Sequence, residues 1–227
     1  MATIQAMASV TASTMKTSMK ASMQQYREKR AELQGNVDWE DYNYPPLIKV
    51  IHFHLGDVED DASRKAVRVA HWNYIMSTAT FFVNFLGNFV LACGGVQWKV
   101  LHVFYSLFNL IIYSIVGMYS FYNGYKGLAT QNGRMTTYYV IIQALSVIFF
   151  FAASIASGAN YNGWTNVSKA EAEDDREMSD FWVGWTYFES LLWTVDYIMG
   201  GLALYWVFKN RKDRFGNGGL LGRGQRG

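Results

Sequence analysis

Two carboxylates occupy positions that demand an explanation. Glu189 and Asp196 lie seven residues apart in the stretch Phe181 to Phe208, which holds no other acid and no Lys or Arg. Seven residues is close to two helical turns, so both side chains fall on one face of a helix. If that helix crosses a bilayer, an ionisable group at its centre costs ~2.5–3.5 kcal/mol, and partners must offset the cost. Two chemistries fit. One is a proton or cation site; the other is interhelical hydrogen bonding with Asp196 protonated. Asn84, Asn109 and Gln143 lie at comparable depth in three other apolar stretches, which predicts a polar layer inside a bundle. His102 lies nearer one edge, within expected reach of Glu189.

Other residues offer less chemistry. His52 and His54 point to the same side if their run is extended, but two histidines without Cys, Asp or Glu at ligand spacing make a poor metal site. Cys93 is the single cysteine, which excludes an intrachain disulfide. Asn166-Val167-Ser168 is an N-glycosylation triplet, and Ser168 with Glu171 equally fits the capping box of a short helix. The chain carries no nucleophile elbow, P-loop, dinucleotide fingerprint or paired-cysteine motif. No enzyme activity and no cofactor are therefore expected. A net charge of +2 gives no bulk attraction for nucleic acid.

The elements that must position these residues follow from the charge pattern. Hydrophobic residues make up 51% of the chain and aromatics 17%, yet mean hydropathy is near zero. The balance arises because charge is dense before Trp72 and after Phe208, whereas the region between holds long stretches without Asp, Glu, Lys or Arg. Four segments meet the ~20 apolar residues that a membrane helix needs: Trp72 to Ala92, Val100 to Tyr122, Thr136 to Ser157 and Phe181 to Phe208. The first three hold no Asp, Glu, Lys or Arg. Trp72, Trp98, Tyr119, Tyr122, Tyr138, Trp182 and Trp206 crowd the span ends, where amphipathic rings anchor at the headgroup level. Basic residues flank the first span, the loop between spans two and three, and the end of span four, so both termini are expected in the cytoplasm. The acidic loop from Glu171 to Asp180 and the turn Gly94-Gly95 then face the lumen or exterior, with Lys99 as a loop charge.

The cytoplasmic ends have their own patterns. No secretory signal peptide is expected: the first 27 residues hold Lys16, Lys20 and Arg27 but no acid and no apolar run. Met15, Met19 and Met23 recur every four residues and predict an amphipathic helix from about Ala12 to Gln34, stopped by Gly35. The tail Lys209 to Gly227 has six Lys or Arg against Asp213 alone, suited to anionic lipid. Both prolines of the chain fall in Asn43-Tyr44-Pro45-Pro46. Proline fixes its own φ and pushes its predecessor toward extended geometry, so this stretch reads as a rigid, extended stop in a connector. A short helix from Glu59 to Ala70 is expected to follow. The division is thus 1–35 amphipathic helix, 36–71 connector and pre-membrane helix, 72–208 four-helix membrane domain, and 209–227 basic Gly-rich tail.

This order of features resembles the secretory carrier membrane proteins. The matching pieces are Tyr26 to Leu33, Asn43-Tyr44-Pro45-Pro46, Ile51-His52, Val67-Arg68, Trp72, Asn84 and Gly87, and Gly94-Gly95. Met118 to Leu128 stands where that family has an amphipathic segment between spans two and three, and Gln143 where its third span carries a glutamine. The likeness covers roughly residues 26 to 165. It implies a four-span, all-α membrane protein that acts as a vesicle constituent, without catalysis. Tyr119, Phe121, Tyr122, Tyr125 and Lys126 would then form a lipid-facing interfacial element. Implied partners are membrane lipids, anionic ones included, other trafficking proteins, and copies of this or another chain. The implied location is post-Golgi or endosomal vesicles. The chain lacks the Asn-Pro-Phe repeats of longer members, and its amphipathic segment lacks the family's Cys, Arg and Pro. Adaptor recruitment and a direct role in late exocytosis are therefore not carried over. Two other readings stay open: an ion or proton transport subunit using Glu189 and Asp196, and an accessory subunit of a large complex in an organellar inner membrane.

Overall fold

A computed structural model describes residues 37–156, 160–171 and 178–211, together with eight scattered positions between Thr17 and Gly35. The expected N-terminal helix, with its stripe of Met15, Met19 and Met23, lies largely outside the described residues, as do most of the acidic loop and the basic tail.

Among the described residues, five α-helices follow the connector. They are α1 (Asp61–Cys93), α2 (Lys99–Ala129), α3 (Gly133–Ile155), α4 (Trp164–Glu171) and α5 (Ser179–Asn210). Among the described residues there is no strand; Tyr44 and Ile51 form an isolated bridge. Asp60 starts α1 by accepting a hydrogen bond from the Ser63 N–H at 2.8 Å, which answers one of the orphan donors of the first turn. Nothing then breaks the helix until Gly94, and Gly95 turns the chain with φ 98°, a left-handed value that glycine adopts without strain. The expected short helix over Glu59 to Ala70 is therefore the first part of α1. Asn132 caps α3 through its side chain and Arg134 N–H.

Helices α1, α2, α3 and α5 are each long and apolar enough to cross a membrane. At ~1.5 Å per residue, the 33 residues of α1 and 32 of α5 run about 48–50 Å, well beyond a ~30 Å hydrocarbon core. The 23 residues of α3 reach only about 35 Å. The room past its end is taken by residues 160–163 and α4, which packs on α5. In the bundle α1 neighbours α2 and α5, and α3 neighbours α2 and α5.

The burial pattern is that of a lipid-solvated bundle. Large apolar side chains such as Phe104, Phe108, Ile115, Leu145 and Ile148 are exposed. Polar ones such as Asn73, Ser77, Thr80, Asn84, Gln143, Glu189 and Asp196 are buried. The central seam shows why. Along α1 one line of buried positions runs through Ala66, Ala70, Asn73, Ser77, Thr80, Asn84, Gly87 and Leu91, alternating four and three residues. Along α5 the facing line runs through Trp182, Thr186, Glu189, Trp193, Asp196, Gly200, Ala203 and Val207, with the same alternation. This is the spacing of two helices packed along a near-parallel seam. The two stripes run in opposite directions and in register: Ser77 meets Asp196, Asn84 meets Glu189, and Asn73 lies beside Gly200. Small and polar residues dominate the seam because apolar burial gives no advantage inside lipid, whereas close approach and hydrogen bonds do.

The connector departs from the extended stop that the prolines suggested. The Tyr44–Pro45 peptide bond is cis, and the chain reverses over Pro46 to Ile48. Tyr44 and Ile51 exchange backbone hydrogen bonds at 2.9 Å in each direction. Asn43 Oδ1 accepts from the Phe53 N–H at 2.9 Å, which holds the second arm. Asn43 and Tyr44 thus close a small hairpin rather than a straight spacer.

Candidate functional site: a polar seam with two carboxyls

Glu189 and Asp196 both face the seam, fully buried, and their surroundings differ sharply. Glu189 accepts four hydrogen bonds. Asn84 Nδ2 at 2.7 Å, Asn162 N–H at 3.1 Å and Trp193 Nε1 at 3.0 Å donate to Oε1, and Asn162 Nδ2 at 2.7 Å donates to Oε2. Ser190 Oγ adds a bond to the Asn162 carbonyl at 2.8 Å. Asn84 and Asn88 both donate to the Asn160 carbonyl. The result is a non-helical segment, Asn160 to Gly163, held inside the bundle with its backbone groups answered by side chains. Irregular backbone at membrane depth is stable only when protein satisfies it in this way. Gly163 makes the fit possible, since a Cβ there would lie 2.5 Å from the Ala156 carbonyl oxygen and 2.6 Å from that of Ala153.

Lys99 belongs to the same end. It is 2% exposed rather than a free loop charge. Its ammonium donates to Asn88 Oδ1 at 3.3 Å and lies 4.8 Å and 5.1 Å from the ring centres of Trp98 and Trp182. The charge is thus held by one amide and two indole faces, and Asn88 and Asn84 connect it to Glu189. His102 does not reach Glu189; its ring packs edge-on against Trp98.

Asp196 is served far less well. Ser77 Oγ donates to Oδ1 at 3.2 Å, while Oδ2 has no hydrogen-bond partner. Gln143 is nearby but gives its amide to the Gly200 carbonyl at 3.4 Å. Asn109 is drawn elsewhere, donating to the Tyr161 hydroxyl at 2.8 Å. The expected single polar layer is therefore divided. Asn84 joins Glu189, Gln143 lies one turn from Asp196, and Asn109 braces Tyr161 against Trp193 and Phe149. No cluster of three or more His, Cys, Asp or Glu suited to a metal occurs among the described residues.

At the other end the connector clasps α2. The Tyr125 hydroxyl donates to Asp57 Oδ2, and His52 joins Asp57 to the Asp41 carbonyl, both at 2.9 Å. Tyr44 bonds His71 at 3.0 Å, and burial pushes its hydroxyl up to about 12. Phe121 and Tyr125, expected to face lipid, instead pack inward against Tyr44, Phe53 and Trp39. Lys126 lies 4.6 Å above the Trp39 ring and donates to Tyr122, and Tyr119 remains exposed. Met118 to Leu128 is simply the last three turns of α2. Pro45 and Pro46 lie in the turn, where the Pro45 carbonyl accepts from the Ile48 and Lys49 N–H groups. Asn166 is half-buried in α4, with Nδ2 donating to Asn162 Oδ1 at 2.7 Å. Ser168 sits inside α4, which begins four residues earlier at Trp164, so it is not the cap that the capping-box spacing suggested.

Sequence reasoning missed Lys99, Asn88, Asn160, Asn162 and Ser77. One signal was available: Asn73, Ser77, Thr80, Asn84 and Asn88 form a polar stripe at helical spacing in an otherwise apolar run.

Taken together, these features define a multi-pass α-helical membrane protein with a polar interior seam and a folded juxtamembrane connector. The model of the SCAMP family matches residues 41–213, which take in the connector and all four long helices. The chain belongs to that family. Comparison with curated proteins and with solved structures found no match.

Proposed function

We propose that the protein is a non-catalytic carrier and scaffold of secretory or endosomal vesicle membranes, with both termini in the cytoplasm. The observation that carries this reading is the family match across connector and bundle together. The architecture is in keeping with it. Val67 and Val207 share one core cluster, so the start of α1 and the end of α5 lie at the same end of the bundle. Leading and trailing segments can then recruit partners on one side of the membrane. Exposed Tyr119, with Tyr122 and Lys126 beside it, supplies the interfacial contact to anionic lipid. The test is location: a tagged copy in its own cell should fractionate with post-Golgi or endosomal vesicles, with both termini digested by protease added outside sealed vesicles. Co-migration with a multi-subunit assembly of an organellar inner membrane would overturn it.

A further inference from the structure

We propose that the tip of the connector hairpin, residues 46–50, inserts into the adjoining bilayer leaflet as an interfacial anchor. The inference goes beyond vesicle location and needs only that the four long helices span a membrane. It starts from side chains that the fold leaves bare. Leu47 is 97% exposed, Ile48 70% and Val50 43%. Lys49 is the only Asp, Glu, Lys or Arg between residues 42 and 56, so the tip is apolar with one positive charge. That combination suits the boundary between acyl chains and anionic headgroups.

The depth of the hairpin follows from what it touches. Trp39, ahead of the hairpin, packs on Tyr125 with ring centres 5.8 Å apart, beside Lys126. Tyr44, at the foot of the turn, instead meets Phe121 at 6.3 Å and His71 at 5.3 Å. Phe121 lies five residues inside Lys126, and His71 three residues inside Arg68, the charges that bound the apolar runs of α2 and α1. At ~1.5 Å per residue, Tyr44 therefore meets partners about 4–8 Å on the lipid side of those charges. The contacts step toward the membrane as the chain approaches the turn. Leu47 is three residues beyond Tyr44 and within ~10 Å of it, a reach that matches a headgroup layer of roughly 5–8 Å. The backbone suits that environment too. Pro45 and Pro46 carry no N–H. Those of Ile48 and Lys49 are answered by the Pro45 carbonyl at 3.1 Å and 2.8 Å, and that of Val50 by the Tyr44 carbonyl at 2.9 Å. Non-helical backbone away from water requires such pairing. The interfacial place expected of Phe121 and Tyr125 is thus taken by the hairpin that covers them.

The experiment uses the full chain in nanodiscs of phosphatidylcholine and phosphatidylserine. Cys93→Ser is the background, so that each added cysteine carries the only nitroxide label. Labels go to Leu47→Cys, to Glu59→Cys as the water reference and to Leu145→Cys as the lipid reference, all at exposed positions. The readout is the ratio of collisions with oxygen, which concentrates in lipid, to collisions with a water-soluble nickel chelate. The Leu47 ratio should exceed the Glu59 ratio at least about threefold and approach that of Leu145. Ile48→Asp should return it to the Glu59 value, with the thermal midpoint unchanged. Three results would overturn the proposal. The Leu47 label could show the Glu59 ratio, which places the tip in water; it could be shielded from both reagents, which means that protein covers it; or Ile48→Asp could leave the ratio high. Should the Leu47 label disturb the fold, the same label at Ile48→Cys decides against the same two references.

Discussion

Glu189 and Asp196 sit two turns apart on the same face of α5, opposite the same face of α1, yet one carboxyl is saturated and the other is not. Glu189 collects four donors because a non-helical segment has been folded over it and its neighbours on α1 are asparagines. Asp196 meets hydroxyls alone, and its Oδ2 has no hydrogen-bond partner. The difference teaches that depth in a membrane does not set the role of an acid. The number and kind of donors brought to it does. Glu189 is a structural anchor, and Asp196 is the open position in the seam.

Removing the anchor should have the largest effect. Glu189→Ala strands the Asn162 backbone N–H and side-chain amide and the Trp193 indole N–H inside the bundle, and breaking a buried network of this kind costs roughly 3–5 kcal/mol. Reversible unfolding in mixed detergent should show it. A loss under about 1 kcal/mol, within the range of an ordinary substitution, would erase the contrast. The next effect is steric: Gly163→Ala pushes a methyl against two backbone carbonyls, at an expected ~1–3 kcal/mol. The same assay measures it, and a neutral result would mean the 160–163 segment does not seat as described. Lys99→Met keeps the stem but removes the charge held between two indoles, for about 1–2 kcal/mol. A double-mutant cycle sharpens the comparison here, since Lys99 should couple to Glu189 and not to Asp196. The smallest change is expected for Asp196→Asn. Its carboxyl meets hydroxyls alone, so stability in the same assay should stay within about 1 kcal/mol of the parent.

Much of this architecture is legible in the sequence. Three of the four long helices can be drawn from the absence of charge alone and the fourth from its apolar run around two acids, whose seven-residue spacing puts both on one face. What escaped did so for physical reasons. Asn160 and Asn162 read as loop residues because polar side chains in a short non-helical stretch usually meet water. Only the third dimension brings them to Glu189, 27 residues on from Asn162. Lys99 beside Trp98 looks like a charge snorkelling at a span end, and nothing local reveals that Asn88 and Trp182 enclose it. Phe121 and Tyr125 have the composition of an interfacial segment, but their partners lie in the connector, 68 residues away in the case of Tyr125 and Asp57. The connector itself misled through its prolines: they restrict φ, yet the pairing of Tyr44 with Ile51 decides that the chain turns back.

Hydrogen–deuterium exchange over residues 160–163, in the parent, Glu189→Gln and Asp196→Asn compared side by side in nanodiscs, tests the division of roles most directly. Exchange at the Asn162 amide should accelerate at least about tenfold in Glu189→Gln and stay at the parent rate in Asp196→Asn. Equal acceleration in both variants, or none in Glu189→Gln, would contradict the assignment of anchor and open site.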